Sequence, residues 1–350
     1  MKKSPSAKPT LQPTPPTPLF STLPYGVFEL DPHIQHDRSP PEHVRCFVRG
    51  CRRMLLPPSR GFVGELCPDH GIYCHASGTY SYRDPKRNII VSPKLLADRI
   101  MKHKFKFESG RFGNERGEDA ISYNVFRSFQ EANALNLVAS LFTGTEVTTQ
   151  PRLFLWGIEM IDDLQPWDLL IAARERFEKS LPVKRPATEP DIALFMPGKF
   201  LLLCEAKFTS PNPVYIRGPR KDAQSLTLDE LIAIYRDPSL VMLDDAKVET
   251  ANPVAYQLFR NLRFAEYMAK LDSPTTAAYL CNLTRLGTEN ATFEGFFRLV
   301  RPEYASRVRH VFWEQLFVIA GLVGKRLNHL QRYFITKTER LRPAFHLGYF

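Results

Sequence analysis

The sequence predicts an α/β protein whose central mixed sheet is flanked by helices, with a small Cys/His module before it and a helical extension behind. Three observations carry that expectation. Helical patterns stand on both sides of a strand-rich centre, four of the six cysteines fall between positions 46 and 74, and the first forty residues hold nine prolines.

Composition narrows the class. The chain has 350 residues, 43% hydrophobic and 24% charged, ordinary for a globular protein with room for about two domains. Its 47 basic against 37 acidic residues leave a net charge of +10, a surface that attracts polyanions. The best candidate for a membrane span, Val311 to Gly324, is interrupted by Glu314 and Gln315 and falls short of the ~18 apolar residues required. The opening MKKSPSAKPTLQPTPPTP places no apolar stretch behind its first lysines, so it does not read as a secretory signal. The expectation is a soluble, basic, cytoplasmic protein without a membrane partner.

Residues 1–40 have too few aliphatic side chains to fold alone and read as a Pro-rich arm or linker. Residues 41–92 form the Cys/His module, whose tail GTYSYRDPKRNIIV alternates like a strand or hairpin and breaks at Asp84-Pro85. The core, 93–290, opens on a basic stretch with Arg99, Lys102, Lys104, Lys106 and Arg111. One long helix is predicted over 115–141, a strand over 152–161 and an amphipathic helix over 165–180. DIALFM and FLLLCEAKF then read as two strands joined by a Pro-Gly turn. Helical patterns return at 226–236 and 253–271, and TAAYLCNL at 276–283 is another strand. Residues 291–350 form the helical extension, ending in basic positions from Lys325 to Arg342.

Six cysteines in a chain this long do not make a disulfide scaffold, and the clustered four point to metal. Cys46-x4-Cys51, a fifteen-residue spacer and Cys67-x2-His70 suit a tetrahedral structural Zn²⁺ site. Cys74 stands as an alternative to His70, His43 and His75 are spare donors, and an iron–sulfur cluster is the competing occupant. A structural metal would stabilise a segment of roughly 50 residues with few aliphatics. Arg49, Arg52, Arg53 and Arg60 between Cys46 and Cys67 make a basic finger suited to a nucleic-acid backbone. Cys204 and Cys281 read as small buried core residues.

The sharpest pattern is Pro190-Asp191, thirteen residues, then Glu205-Ala206-Lys207. Glu205 and Lys207 are two apart on a strand, so they share a face, and Leu201 to Cys204 make that strand a buried one. Charges there are costly unless paired. A divalent cation held by Asp191 and Glu205 beside Lys207 supplies the pairing, and oxygen ligands suit Mg²⁺ or Mn²⁺.

PD…EAK, with the helix GEDAISYNVFRSF before it and NPVAYQLFRNLRFAEYMA after it, resembles the PD-(D/E)XK nucleases of restriction endonuclease-like fold over about residues 113 to 285. The resemblance implies Mg²⁺-dependent hydrolysis of phosphodiesters in double-stranded DNA. It places Glu118 in the metal site, with Glu115 and Asp119 as rival positions, together with Asp191, Glu205 and the carbonyl of Ala206. It makes Lys207 the residue that orients water or stabilises the transition state. Gln257 and Asn261 correspond to the glutamine-bearing helix near the site, with Arg260 toward a phosphate. The order of zinc module, basic linker and core, with phrases such as CPDHGI and SYRDPKRNII, resembles bacterial restriction-type and phage-defence nucleases. Two alternatives stand beside an autonomous endonuclease. One is a nucleic-acid-binding adaptor with a silent nuclease fold; the other is a partner-gated subunit of a larger defence or transposition assembly. A homodimer or a larger defence complex is the assembly this reading allows.

Overall fold

The computed structural model describes residues 24–32, 42–91, 112–161, 166–179, 181, 187–219, 226–288 and 290–349. The expected arm at 1–23 and 33–40, and the basic stretch from Arg99 to Arg111, lie outside these residues.

The chain opens with a module of short antiparallel strands. β1 (Val44–Arg45) pairs with β2 (Met54–Leu55), while β3 (Leu66–Cys67), β4 (Ile72–His75) and β5 (Thr79–Tyr82) make a three-stranded sheet. Its apolar centre gathers Phe47, Ile72, Tyr80 and Tyr82 around Cys46, Cys67 and Cys74. Tyr25 and Leu30 belong to the same centre. The Tyr25 amide donates to the Tyr82 hydroxyl at 2.7 Å, and the Arg87 guanidinium lies 4.5 Å from the Tyr25 ring. Residues 24–32 are therefore part of the module and not of an arm: one aromatic and one leucine give this short segment a buried anchor at each end.

The expected helix at 115–141 is two helices, α1 (Glu118–Glu131) and α2 (Leu135–Thr143). Asn133 between them has φ +52°, a left-handed conformation that asparagine tolerates and a continuous helix does not. The expected strand at 152–161 is a hairpin of β6 (Arg152–Leu155) and β7 (Ile158–Glu159). Trp156 and Gly157 both have positive φ there, the pattern of a tight I′ turn. α3 (Asp168–Glu178) follows, then β8 (Ile192–Met196) and β9 (Phe200–Ala206), antiparallel and closed by Gly198 at φ +69°. Past α4 (Leu228–Ile234) and α5 (Asp245–Thr250), the seventeen-residue α6 (Tyr256–Asp272) leads into β10 (Ala277–Thr284). The last part of the chain contains α7 (Ala291–Phe297), β11 (Val308–Phe312), α8 (Trp313–Val323), α9 (Asn328–Thr336) and the small hairpin β12 (Thr338–Glu339) with β13 (Arg342–Pro343).

A six-stranded mixed sheet in the order β11-β10-β9-β8-β6-β7 is the centre of the fold. β9, β10 and β11 run parallel, whereas β8 and β6 run antiparallel to their neighbours. Every residue of β9 is buried, because helices cover both faces of the sheet. Leu202 and Cys204 face a core shared with α1, α2, α8 and α9, while Leu201 and Leu203 face one shared with α3, α4 and α6. Cys204 and Cys281, paired in register on β9 and β10, are fully buried. The supposed helical extension departs from expectation. Residues 308–312 add a strand to the sheet, since VRHVF is β-branched and aromatic and has the open parallel edge of β10 to pair with. Among the described residues no helix is long and apolar enough to cross a membrane.

Candidate functional site

Strand β9 delivers its charged end to the face covered by α6. Alternation puts Glu205 in phase with Leu201 and Leu203, so its carboxylate enters the layer under α6 and is 2% exposed. The Lys207 Nζ donates to Glu205 Oε1 at 2.6 Å, and the Asn261 amide donates to Oε2 at 2.7 Å. The strand itself ends at Ala206, yet the Lys207 amide still donates to the Leu283 carbonyl of β10 at 2.8 Å, which keeps the lysine in phase with Glu205. Burial pushes the Lys207 ammonium down, but the carboxylates of Glu205, Asp191 and Glu118 outweigh it and hold the group above the usual lysine range. Lys207 is thus a fixed positive charge.

Two further carboxylates grip the same stretch of backbone. Asp191, at the mouth of β8, accepts the Ala206 amide at 2.9 Å. Burial, then the Glu205 charge, raises Asp191 above the ordinary carboxylate range. Glu118, in the first turn of α1, accepts the Phe208 amide at 2.9 Å and the Ser210 hydroxyl at 3.0 Å. Of its rivals, Glu115 is turned elsewhere. It is 3% exposed, accepts from Thr79 at 3.2 Å and from Thr338, and burial raises it to about 7. Asp119 lines the same cleft as Glu118.

That cleft encloses about 1090 Å³ and is lined by Glu118, Asp191, Glu205, Lys207, Gln257 and Arg260 among others. Gln257 and Asn261 lie on one face of α6, and the carbonyl oxygens of both are buried without a hydrogen-bond donor among the described residues. Arg260 sits at the cleft wall with its guanidinium 5.8 Å from the Tyr256 ring. Several participants escaped the sequence reading. Asn282 of β10 is in register with Glu205 and accepts the Asn212 amide at 2.9 Å, and the Asn212 oxygen lacks a donor. The Trp313 indole donates to the Lys207 carbonyl at 3.0 Å. An asparagine inside the apolar strand TAAYLCNL was the one available signal, since such a residue is costly unless bonded. The other wall of the cleft is the turn of the Cys/His module, with His75, Ser77 and Thr79.

Within the module the ligand atoms of Cys46, Cys51, Cys67 and His70 all lie within 4.8 Å of one another. The His70 Nδ1 is 3.3 Å from the Cys67 sulfur and 3.6 Å from that of Cys46. Each half comes from a tight turn closed by a left-handed glycine. Cys51 N–H donates to the Val48 carbonyl beside Gly50, and Gly71 N–H donates to the Cys67 carbonyl. Burial pushes the Cys67 thiol up to about 12, and the Cys74 thiol followed by burial raises Cys46. A bound dication reverses such shifts by holding the thiolates. The cluster can bind a metal such as zinc, for which three thiolates and one imidazole are a fitting set. Cys74 is buried outside the four, and His75 pairs with the Ser81 hydroxyl at 3.0 Å. Of the basic finger, Arg49 and Arg52 are exposed, whereas Arg53 is matched by Asp69 at 2.9 Å.

Comparison of the chain with protein families, with curated proteins and with solved structures finds no match.

Proposed function

We propose that this chain is a Mg²⁺- or Mn²⁺-dependent endonuclease of restriction endonuclease-like, PD-(D/E)XK type acting on double-stranded DNA, with a zinc-stabilised module beside its cleft. One observation carries the reading: carboxylates from three separate elements and one lysine converge on residues 205–210 at the floor of a single cleft.

The donor set fits a hard dication. Asp191, Glu205 and Glu118 bring negative charge together in a buried place; burial first, and the Glu205 charge second, raise Asp191. Glu205 accepts one hydrogen bond on each oxygen, which leaves a lone pair on each for a further partner. Asp191, Glu205, the Ala206 carbonyl and Glu118 would hold the ion, which when bound lowers the pKa of a coordinated water and neutralises phosphate charge. The residues supply the rest. Asn261 fixes the Glu205 carboxylate. Lys207, itself anchored by Glu205, presents its ammonium to the reacting phosphate and stabilises charge there. Arg260 and the net positive surface draw the backbone in.

Incubation of plasmid and linear DNA with Mg²⁺ or Mn²⁺ tests the reading. Metal-dependent nicking or linearisation by the wild type, reduced by about 10²–10³-fold in Lys207→Ala, is the expected result. Unimpaired cleavage by that variant overturns the site assignment, and salt-dependent DNA binding without cleavage turns the reading toward a silent or partner-gated subunit.

A further inference from the structure

A second cleft of about 780 Å³ lies beside the first, lined by Arg285, Arg340, Arg342 and His346, with Glu339 as the acidic side chain among its described lining residues. The two clefts meet across a single ridge. Arg116 lines the first, Glu339 lines the second, and the two pair at 3.7 Å; Glu339 also pairs with Arg285. The Arg285 guanidinium lies 5.3 Å from the ring of Phe208, the residue after Lys207. The basic lining thus begins one side chain away from the carboxylate site.

The backbone that presents these arginines is unusual. Arg340 and Leu341 form the turn between β12 and β13 with φ +50° and +66°, where asparagine and glycine are the ordinary occupants. Leu341 is 2% exposed because its side chain is part of the apolar centre of the Cys/His module. That anchor holds the left-handed turn in place and leaves Arg340 and Arg342 exposed on the cleft. Glu339 is shared between Arg116 and Arg285, so among the described lining residues Arg340 and Arg342 are the arginines left to attract an outside anion. Backbone held in a sparsely populated conformation collects at binding sites, where surrounding structure enforces it.

We propose that this second cleft binds the phosphate backbone of the same nucleic-acid duplex, gripping the segment next to the one held over Asp191, Glu205 and Lys207. The inference rests on the nucleic-acid reading above. It also makes the module a positioning device, because Leu341 ties the arginine turn to the zinc-bearing core.

The test is binding of a labelled DNA duplex to the full chain, with Ca²⁺ as the divalent cation, over a series of salt concentrations. Arg340→Asn with Arg342→Gln removes both charges while asparagine suits the left-handed position. Lys325→Gln with Arg332→Gln removes two exposed charges elsewhere. Each lost phosphate contact lowers the slope of log affinity against log salt by about one. The expected result is a slope reduced by about two in the cleft variant and unchanged in the other. Arg342→Gln alone, outside the strained turn, should reduce it by about one. A wild-type slope in both cleft variants, or an equal fall in the Lys325/Arg332 variant, overturns the inference and leaves the nucleic-acid reading standing. Wild-type protein that binds no duplex at all overturns both.

Discussion

The Cys/His module and the carboxylate cleft both collect ligating side chains, but in opposite orders of cause. In the module four ligand atoms come from two short turns, and the apolar centre around them is about a dozen side chains, three of them cysteine. There the cluster organises the fold. In the cleft, Glu205, Asp191 and Glu118 stand on a sheet and helices whose two apolar cores are complete without them. There the fold organises the cluster. A metal at the first site would be a part of the structure; at the second, under the proposed function, it would belong to the chemistry. The contrast is also one of hardness: sulfur and imidazole in one place, carboxylate and amide oxygen in the other.

The largest expected effect comes from denying a metal to the Cys46/Cys51/Cys67/His70 cluster, which can bind one such as zinc. A structural zinc contributes on the order of 10 kcal/mol in small domains. Chelation, or Cys67→Ser, should expose residues 42–91 to protease while peptides from β8, β9 and α6 stay protected. Uniform loss of protection across the chain would erase the contrast. Next comes Asn261→Ala in the cleft, which strips one donor from a buried carboxylate at a cost of about 1–3 kcal/mol. The drop in thermal stability should come without added protease sensitivity in residues 42–91, and a variant as stable as the wild type would mean that Glu205 does not depend on that bond.

An effect of comparable size, spread over a pH range, lies at the seam between the two regions. Glu115 is raised from 4.5 to about 7 by burial, so the folded protein holds its proton more tightly than the unfolded chain does. That stabilisation is complete below about pH 4.5 and is lost as pH rises through about 7. Melting temperature should therefore fall between pH 5 and pH 8 in the wild type, and Glu115→Gln should flatten the profile and be the more stable protein at pH 8. A variant with the wild-type profile would place the titrating group elsewhere. The smallest change is expected for Arg53→Ala, whose partner Asp69 is also exposed: the melting temperature should stay at the wild-type value, and a large drop would show that this surface pair braces the cluster.

What the sequence determined by itself is local. DIALFM-PGK-FLLLCEAKF is a hairpin because its apolar runs and Pro-Gly turn agree, and Glu205 and Lys207 share a face because strand side chains alternate. The Cys and His spacings fold into two turns for a similar reason: the bonds inside each turn, Cys51 to Val48 and Gly71 to Cys67, span three or four residues. The break at Asn133 and the Trp156-Gly157 turn were missed because a left-handed residue leaves the apolar pattern intact on either side. Only the tertiary structure decided the rest. It set Glu118 rather than Glu115 on the Phe208 amide, ninety residues away, placed Asn282 in register with Glu205, and brought β11 onto the sheet edge. It seated Leu341 in the module core and made the module a wall of the cleft. Such choices turn on which surfaces remain open after the first elements pack, and no periodicity along the chain records that.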